Sequence, residues 1–182
     1  MSVSFSPFPV LKTPRMTLRQ IVPEDAPEMF ALRSDERVMK YIDRPRSKTL
    51  EDALTLIHSM EENRLKNEGI AWAMCLHDDP RMIGNIGYWR TQLYNFRAEI
   101  GYMLHPDFHR KGLTSEAMKV VMDFGFKKMN LHSIEAHINP GNDASAQLLE
   151  KHRFVREAYF RENYFFEGQF LDTAVYSLLC PK

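Results

Sequence analysis

Apolar and polar residues alternate from Met16 to Ile21, the period-two pattern of a strand with one buried face. Pro23 then opens a helix running to about Leu32, with Glu24 and Asp25 in the first turn, where carboxylates complement the helix dipole. A second helix is predicted from Leu50 to Asn67. Thr49 stands at its N-cap with Asp52 three residues on, Ala53, Leu56, Ile57, Met60 and Leu65 make its apolar stripe, and Gly69 stops it. Ile70 to Leu76 is a short apolar run and His77 to Pro80 a turn. Arg81 to Leu93 and Arg97 to Leu104 follow, separated by Tyr94 to Phe96, and together these predict an antiparallel meander. From about Leu113 to Met129 the chain is apolar almost all round, so that helix is expected to lie buried against a sheet. Ser133 to Ile138 reads as a strand and Ala144 to Lys151 as a helix. Phe154 to Tyr164 and Phe170 to Leu179 read as a hairpin around Glu167 and Gly168.

The order β-α-α-β-β-β-α-β-α-β-β predicts an α/β fold of the mixed, α+β kind. Its central sheet has about seven strands, mostly antiparallel, with four helices and one parallel β-α-β crossover over residues 97–138. No GxGxxG follows the first strand, which argues against a doubly wound dinucleotide fold. The length favours one domain over residues 1–182, with residues 1–9 as a loose lead-in carrying Pro7 and Pro9.

Charge narrows the partners. Lys plus Arg equals Asp plus Glu, 24 against 24, so no global field favours nucleic acid or an anionic membrane, and any phosphate site is local. Cys75 and Cys180 sit in no CxxC or Cys/His pattern, and His132 and His137 lack metal spacing. No disulfide or metal site is expected, and both thiols suit a reducing compartment. The first residues lack a basic and then apolar leader pattern, and no window approaches ~18 apolar residues. A cytoplasmic protein is expected.

Glu99 to Ala117 reads EIGYMLHPDFHRKGLTSEA. A strand should end at Leu104 or His105, because Pro106 cannot donate to a ladder. A short loop with His109, Arg110, Lys111 and Gly112 then enters the apolar helix at Leu113. Free amides at a helix N-terminus suit a pyrophosphate, Gly112 permits close approach, and Thr114 and Ser115 add hydroxyls. The same residues also read as a plainly capped helix start, with Arg110 and Lys111 as solvated charges, the histidines as exposed loop residues and Glu116 capping the first turn.

These residues resemble the GNAT acetyltransferase superfamily. Its Arg/Gln-x-x-Gly-x-Gly/Ala loop matches His109 to Thr114, with His109 and Thr114 departing at the two ends. The RimJ/RimL-like branch, which includes ribosomal-protein N-terminal acetyltransferases, is more similar. Its Ala-Glu-Ile-Gly-Tyr strand matches residues 98–102, and its Lys-Gly-x-x-x-Glu-Ala element matches Lys111, Gly112, Glu116 and Ala117. Its Asn-x-x-Ser…Glu-Lys-x-Gly-Phe block matches Asn142, Ser145, Glu150, Lys151 and Phe154, with Arg153 in place of the glycine. Opening and closing blocks at Leu11 to Arg19 and Gly168 to Leu179 extend the likeness to about residues 10–180.

The resemblance implies acetyl-CoA as co-substrate. It places the CoA pyrophosphate on His109 to Ser115 and the pantetheine arm along Met103 and Leu104, between strands opened by a β-bulge near Tyr102. Asn142 is implied at the pantetheine or thioester, and is equally a helix N-cap. Leu149 stands where many family members place an acid tyrosine. The branch offers Ser145 instead as donor to the departing thiolate, against its plain reading as a first-turn serine. Tyr164 is a second possible donor or an acceptor-pocket residue. Glu99, on the strand entering the cleft, is the candidate base, directly or through water, or else a structural partner of Arg97 or of a backbone amide. Tyr102, Phe108 and Trp89 are read as core or cleft wall.

An α-amine of pKa near 8 is about one-tenth neutral at pH 7, whereas a lysine is neutral in well under one molecule in a thousand. The acceptor expected first is therefore the N-terminal amine of a protein or peptide. A small amine (amino sugar, antibiotic or amino acid) and a non-catalytic acyl-CoA-binding module are the alternatives. No acidic run suits a polyamine, and the aromatic cluster of residues 159–170 leaves monomer and homodimer open.

Overall fold

A computed structural model describes residues 3–181. Its strands are β1 Leu11–Lys12, β2 Met16–Gln20, β3 Ile70–Leu76, β4 Asp79–Gln92, β5 Arg97–Leu104, β6 Ser133–Ile138, β7 Val155–Phe166 and β8 Gln169–Leu179. Its α-helices are α1 Ala26–Ser34, α2 Glu36–Met39, α3 Leu50–Leu65, α4 Leu113–Lys127 and α5 Asp143–Lys151. One eight-stranded sheet runs β1-β2-β3-β4-β5-β6-β8-β7, and only β5 and β6 pair in parallel. The mixed α/β expectation holds. The count differs by β1, two residues that pair with β2, and by α2, a single turn begun by Asp35 accepting from Arg37 N–H. Both are too short for periodicity to register.

The sheet is covered on both faces. Ile70, Trp72, Met74, Ile86, Tyr88, Ala98 and Ile100 pack with Leu113, Ala117, Met118 and Val121 of α4 and Leu149 of α5. The alternate residues of β3, Ala71, Ala73 and Cys75, pack with Met29, Leu32, Ala53 and Ile57 of α1 and α3. A strand buried on both faces needs no polar alternation, which explains the unbroken apolar run in β3. Burial pushes the Cys75 thiol up to about 11, leaving it an inert core group. The Thr49 cap forms as expected: Thr49 Oγ1 accepts from Asp52 N–H at 3.2 Å, and Asp52 returns the bond to Thr49 N–H at 3.0 Å.

The lead-in is not loose over residues 5–9. Phe5 is buried, its carbonyl accepts from Arg64 Nη1 at 2.9 Å, and Trp72 Nε1 donates to the Pro9 carbonyl at 2.7 Å. Both partners lie about sixty residues away in sequence, so local composition could not show them. Among the described residues no helix is long and apolar enough to cross a membrane.

At the end of α5, Arg153 has φ +66°, where the resembling family carries glycine. A side chain in the left-handed region costs roughly 1–2 kcal/mol, and glycine returns about 0.5–1 kcal/mol of that as backbone entropy. Arg153→Gly is expected to stabilise the protein by about 0.5 kcal/mol or more, read as a higher urea midpoint at unchanged m-value. An unchanged or lower midpoint would contradict the reading of this turn.

Candidate active site

The cleft begins where two strands part. β5 pairs with β6 at Arg97, Ala98 and Glu99 only, while β6 continues to pair with β8 through Ile138. Beyond Glu99, β5 runs to Leu104 with that edge open. His105 N–H donates to the Ile83 carbonyl at 2.8 Å, so ladder alternation turns the peptide groups of Tyr102 and Leu104 away from β4, towards the opening. Met103 lies out of phase; its peptide groups face β4, and its side chain joins the α1–α3 face. Only Leu104 of the expected pair therefore offers backbone to the cleft, and Tyr102 joins it. The expected bulge near Tyr102 is absent. β4–β5 pairing is unbroken from Leu104 to Glu99, and the irregularity falls between Trp89 and Gln92, where Arg90 has φ +48°. Termination of β6 pairing, not a bulge, opens the edge.

The loop after β5 is a short 3-10 turn, Pro106–Phe108, followed by residues 109–112, all exposed. Arg110 at φ +59° and Gly112 at φ +74° reverse the chain sharply into α4. Gly112 is the N-cap and makes no side-chain cap bond. The first helical bond is Glu116 N–H to the Gly112 carbonyl, so the amides of the first turn through Ser115 lack an intrahelical acceptor. That is the construction of an anion site. His109 folds back, its Nε2 2.9 Å from the Leu104 carbonyl, and braces the loop. Lys111 Nζ lies 5.2 Å from the centre of the Phe108 ring. The Ser115 hydroxyl is bonded to His152 Nε2 at 2.9 Å, which ties α4 to the end of α5 and occupies a group expected to meet the cofactor. Burial, helped by Lys151, lowers the His152 pKa, so the ring is neutral in this bond at pH 7.

Glu116 would repel a phosphate, but its carboxylate is drawn away from the loop mouth. Oε1 accepts from Thr13 Oγ1 at 2.5 Å and from Arg15 N–H at 2.9 Å, and Oε2 accepts from Arg15 Nε at 2.8 Å. Arg15 Nη1 also donates to the Lys111 carbonyl at 2.9 Å. Burial opposes ionisation of Glu116, but the Thr13 and Arg15 bonds outweigh it and hold the carboxyl below its ordinary value. A depressed carboxyl contributes stability that is fully present above its unfolded pKa and lost as pH falls through the folded one, so the clamp is intact at neutral pH.

On the α1–α3 face, the candidate base Glu99 is mostly buried, its side chain 16% exposed, and Arg90 Nη1 bonds it at 3.0 Å. Arg97, expected as its partner, pairs with Glu135 instead. Tyr102 and Ser145 meet on the other face, Oη to Oγ at 2.7 Å, joining β5 to α5 across the gap. Asn142 caps α5 by accepting from Ser145 N–H at 3.1 Å, which leaves its side-chain NH₂ as its donor group. Tyr164 is elsewhere: its hydroxyl donates to the Asp43 carbonyl at 2.7 Å and accepts from Arg44 at 3.0 Å. A phenol has one proton, and this one goes to the Asp43 carbonyl, so Tyr164 is not placed as a thiolate donor. Nearby, a cavity of about 380 Å³ lies between residues 36–46, which comprise α2 and the loop after it, and the β7–β8 tip; Lys40, Arg44 and Arg46 line it against Glu36, Asp43 and Glu167. Among the described residues no His, Cys, Asp and Glu cluster is placed to hold a metal ion.

Sequence reasoning missed Tyr102, Arg15 and Arg90 as site residues. For the first two a signal existed, since both stand in blocks that carry the resemblance.

A family model described as "Acetyltransferase (GNAT) domain" matches residues 15–155. The uncharacterized N-acetyltransferase YoaA of Bacillus subtilis is 34% identical over 175 residues, 96% of this chain and 99% of that protein. A GNAT-family acetyltransferase structure from Bacillus anthracis superposes with TM-score 0.83 at 27% identity, covering 94% of this chain and 98% of that one. RimL, a ribosomal L7/L12 alpha-N-protein acetyltransferase solved with coenzyme A, superposes with TM-score 0.85 at 15% identity over 94% of this chain and 98% of that one, a likeness of fold.

A Cβ at Gly112 would have only the Arg15 guanidinium near it, at 3.7 Å, so alanine there tests strain of about 1 kcal/mol without a clash. Gly112→Asp adds a carboxylate at the amide tips. Calorimetry should show CoA binding by Gly112→Ala within about 10-fold of wild type and loss of at least about 100-fold more in Gly112→Asp, each 10-fold being ~1.4 kcal/mol. Equal affinity of the two variants would remove the loop as the phosphate site.

Proposed function

The chain belongs to the GNAT acetyltransferase family, and from that premise we propose that it transfers acetyl from acetyl-CoA to the N-terminal α-amine of a protein or peptide, in the manner of the RimJ/RimL-like branch. The residues present suit that co-substrate. The uncapped amides of Gly112 to Ser115 with Arg110 and Lys111 would hold its pyrophosphate. The open edge at Tyr102 and Leu104 and the Asn142 amide would hold its pantetheine arm. Acetyl-CoA supplies the acetyl group and a sulfur leaving group. The chain's own task is to orient the amine, take its proton and stabilise charge on the departing side.

The Glu99–Arg90 ion pair carries the choice of acceptor. A carboxylate already engaged by an arginine suits an amine that is partly neutral at working pH, as an α-amine is and a lysine-type amine is not. Strand alternation puts Glu99 on one face of β5 and Tyr102 with Ser145 on the other, so proton removal and leaving-group stabilisation approach the open edge from opposite sides. The cavity by Tyr164 supports a peptide over a polyamine. Its three cations balance its three anions, so a polycation gains nothing there. The free thiols Cys75 and Cys180 fit a cytoplasmic setting.

Release of free CoA is expected with peptides beginning in Ser or Ala, and not with spermidine, amino sugars or free amino acids. Turnover confined to a small amine would overturn the acceptor, and tight CoA binding without turnover on any amine would overturn catalysis. Glu99→Gln should lower kcat on the order of 10²-fold with CoA affinity unchanged. A kcat equal to wild type from about pH 6 to 9 removes Glu99 as base.

A further inference from the structure

The chain has two tryptophans, and the fold treats their indoles differently. Trp72 is fully buried, and its Nε1–H donates to the Pro9 carbonyl at 2.7 Å. A buried indole usually finds such an acceptor. Trp89 is half-buried and packs on the α1–α3 face of the sheet. Among the described residues its N–H has no hydrogen-bond partner. Nor is that N–H sealed from solvent, since the buried side-chain nitrogens without a partner are the Nε atoms of Arg33 and Arg97. An indole N–H can only donate, so Trp89 carries a donor with no acceptor.

That donor sits at the open edge of β5. A Cβ built on Gly101 would stand 2.6 Å from Trp89 Nε1 and 2.9 Å from its Cδ1, so the nitrogen-bearing edge of the ring lies directly on the glycine backbone. Gly101 is on β5 beyond Glu99, where the strand has lost β6. Trp89 is the antiparallel partner of Glu99, and directly opposed residues hold their Cβ atoms about 5 Å apart on one face of the sheet. Strand alternation would send Arg90 to the other face; its φ of +48° lets it turn back and bond Glu99 at 3.0 Å. The carboxylate and the unused donor therefore stand side by side where the edge opens.

We propose that Trp89 Nε1 donates to the first peptide carbonyl of the acceptor while Glu99 meets its α-amine, so that the two together read an N-terminal aminoacyl unit. The proposal rests on the acetyltransferase reading and gives a specificity role to a residue that reading does not use. In an aminoacyl unit the amine nitrogen and the carbonyl oxygen are roughly 3 Å apart, a spacing that neighbouring side chains on one sheet face can span. The amine of a polyamine or of a lysine side chain has only methylenes beside it and leaves the indole unpartnered. A site built to bond a polar group discriminates against the analogue that lacks it. Gly101 gives the ring its seat, because a side chain there would displace the indole.

The test pairs a Ser-starting peptide with its analogue carrying sulfur in place of the first carbonyl oxygen, a poorer hydrogen-bond acceptor of the same charge. Wild type should use the thioamide about 10-fold less well in kcat/KM. Trp89→Phe, which keeps a ring in the cleft without the N–H, should use the oxygen peptide about 10-fold less well than wild type does, with the two peptides now equal and the KM for acetyl-CoA unchanged. Gly101→Ala, which unseats the indole, should also make the two peptides equal. In the complex with CoA, peptide should shift the fluorescence of wild type but not of Trp89→Phe, in which only the buried Trp72 remains. Equal use of the two peptides by wild type, or a preference retained in Trp89→Phe, overturns the proposal and leaves the transferase reading standing. If wild type acetylates no peptide, the acceptor reading falls; a fluorescence shift confined to wild type then keeps the indole contact as peptide binding, and its absence overturns that contact too.

Discussion

Unpaired backbone is the constraint around which the molecule is organised. Peptide groups removed from water need partners, and nearly all in a folded chain find them. Here two sets are kept open and adjacent: the outer edge of β5 beyond Glu99, and the first-turn amides of α4 behind Gly112. Several side chains that could close the gap are turned aside. Glu116, one turn into α4, is pulled away by Thr13 and Arg15; His109 closes on the Leu104 carbonyl alone; the Ser115 hydroxyl is taken by His152. The site exists because these competitors are engaged elsewhere, and engaging them takes contacts from both ends of the chain.

That dependence explains what the sequence could and could not show. The strand Arg97–Leu104, the loop glycine and the helix from Leu113 are local and follow from periodicity, a proline stop and glycine chemistry. The Asn142 and Thr49 caps are equally local. The Arg15–Glu116 clamp spans 101 residues and leaves no trace in any window. It was visible only as two separate blocks of family resemblance, which the fold shows to be two halves of one contact. In sequence Tyr102 reads as core or cleft wall because a tyrosine in a strand is usually packing, and nothing in the strand reveals a serine 43 residues on. The bulge was misplaced for a related reason: sequence shows where a strand is, not how far its partner accompanies it.

Electrostatics follow the same division. The chain carries no net charge, and three carboxylates around the cleft are each matched to an arginine: Glu116 to Arg15, Glu99 to Arg90, Glu135 to Arg97. Partly exposed pairs like these contribute little to stability. Their effect is on the field. Each cancels a negative charge that would oppose a nucleotide, so that the exposed Arg110 and Lys111 beside the α4 dipole outnumber Asp107 in the loop. A neutral protein thus presents a positive loop without a basic composition.

The far end of the sheet shows how an edge problem shapes the side proposed for the acceptor. β7 is an edge strand of twelve residues with Tyr159, Phe160 and Phe165 exposed, a ready template for unwanted pairing. Two irregularities interrupt its ladder with β8, between Arg156 and Ala158 and between Phe160 and Tyr164, and Glu162 has φ +49° in the second. Asp172 fastens that distortion by accepting from Glu162 N–H at 2.8 Å and from the Tyr159 hydroxyl. A bulge bends its strand, and beyond this one Tyr164 and Phe166 lie nearly parallel, their centres 6.4 Å apart, with the Tyr164 hydroxyl reaching the Asp43 carbonyl. The feature that spoils β7 as an edge therefore also delivers an aromatic wall to the loop that follows α2. Straightening the strand would restore a sticky edge and withdraw that wall in the same movement, which gives the second bulge a reason to persist that neither stability nor solubility supplies alone.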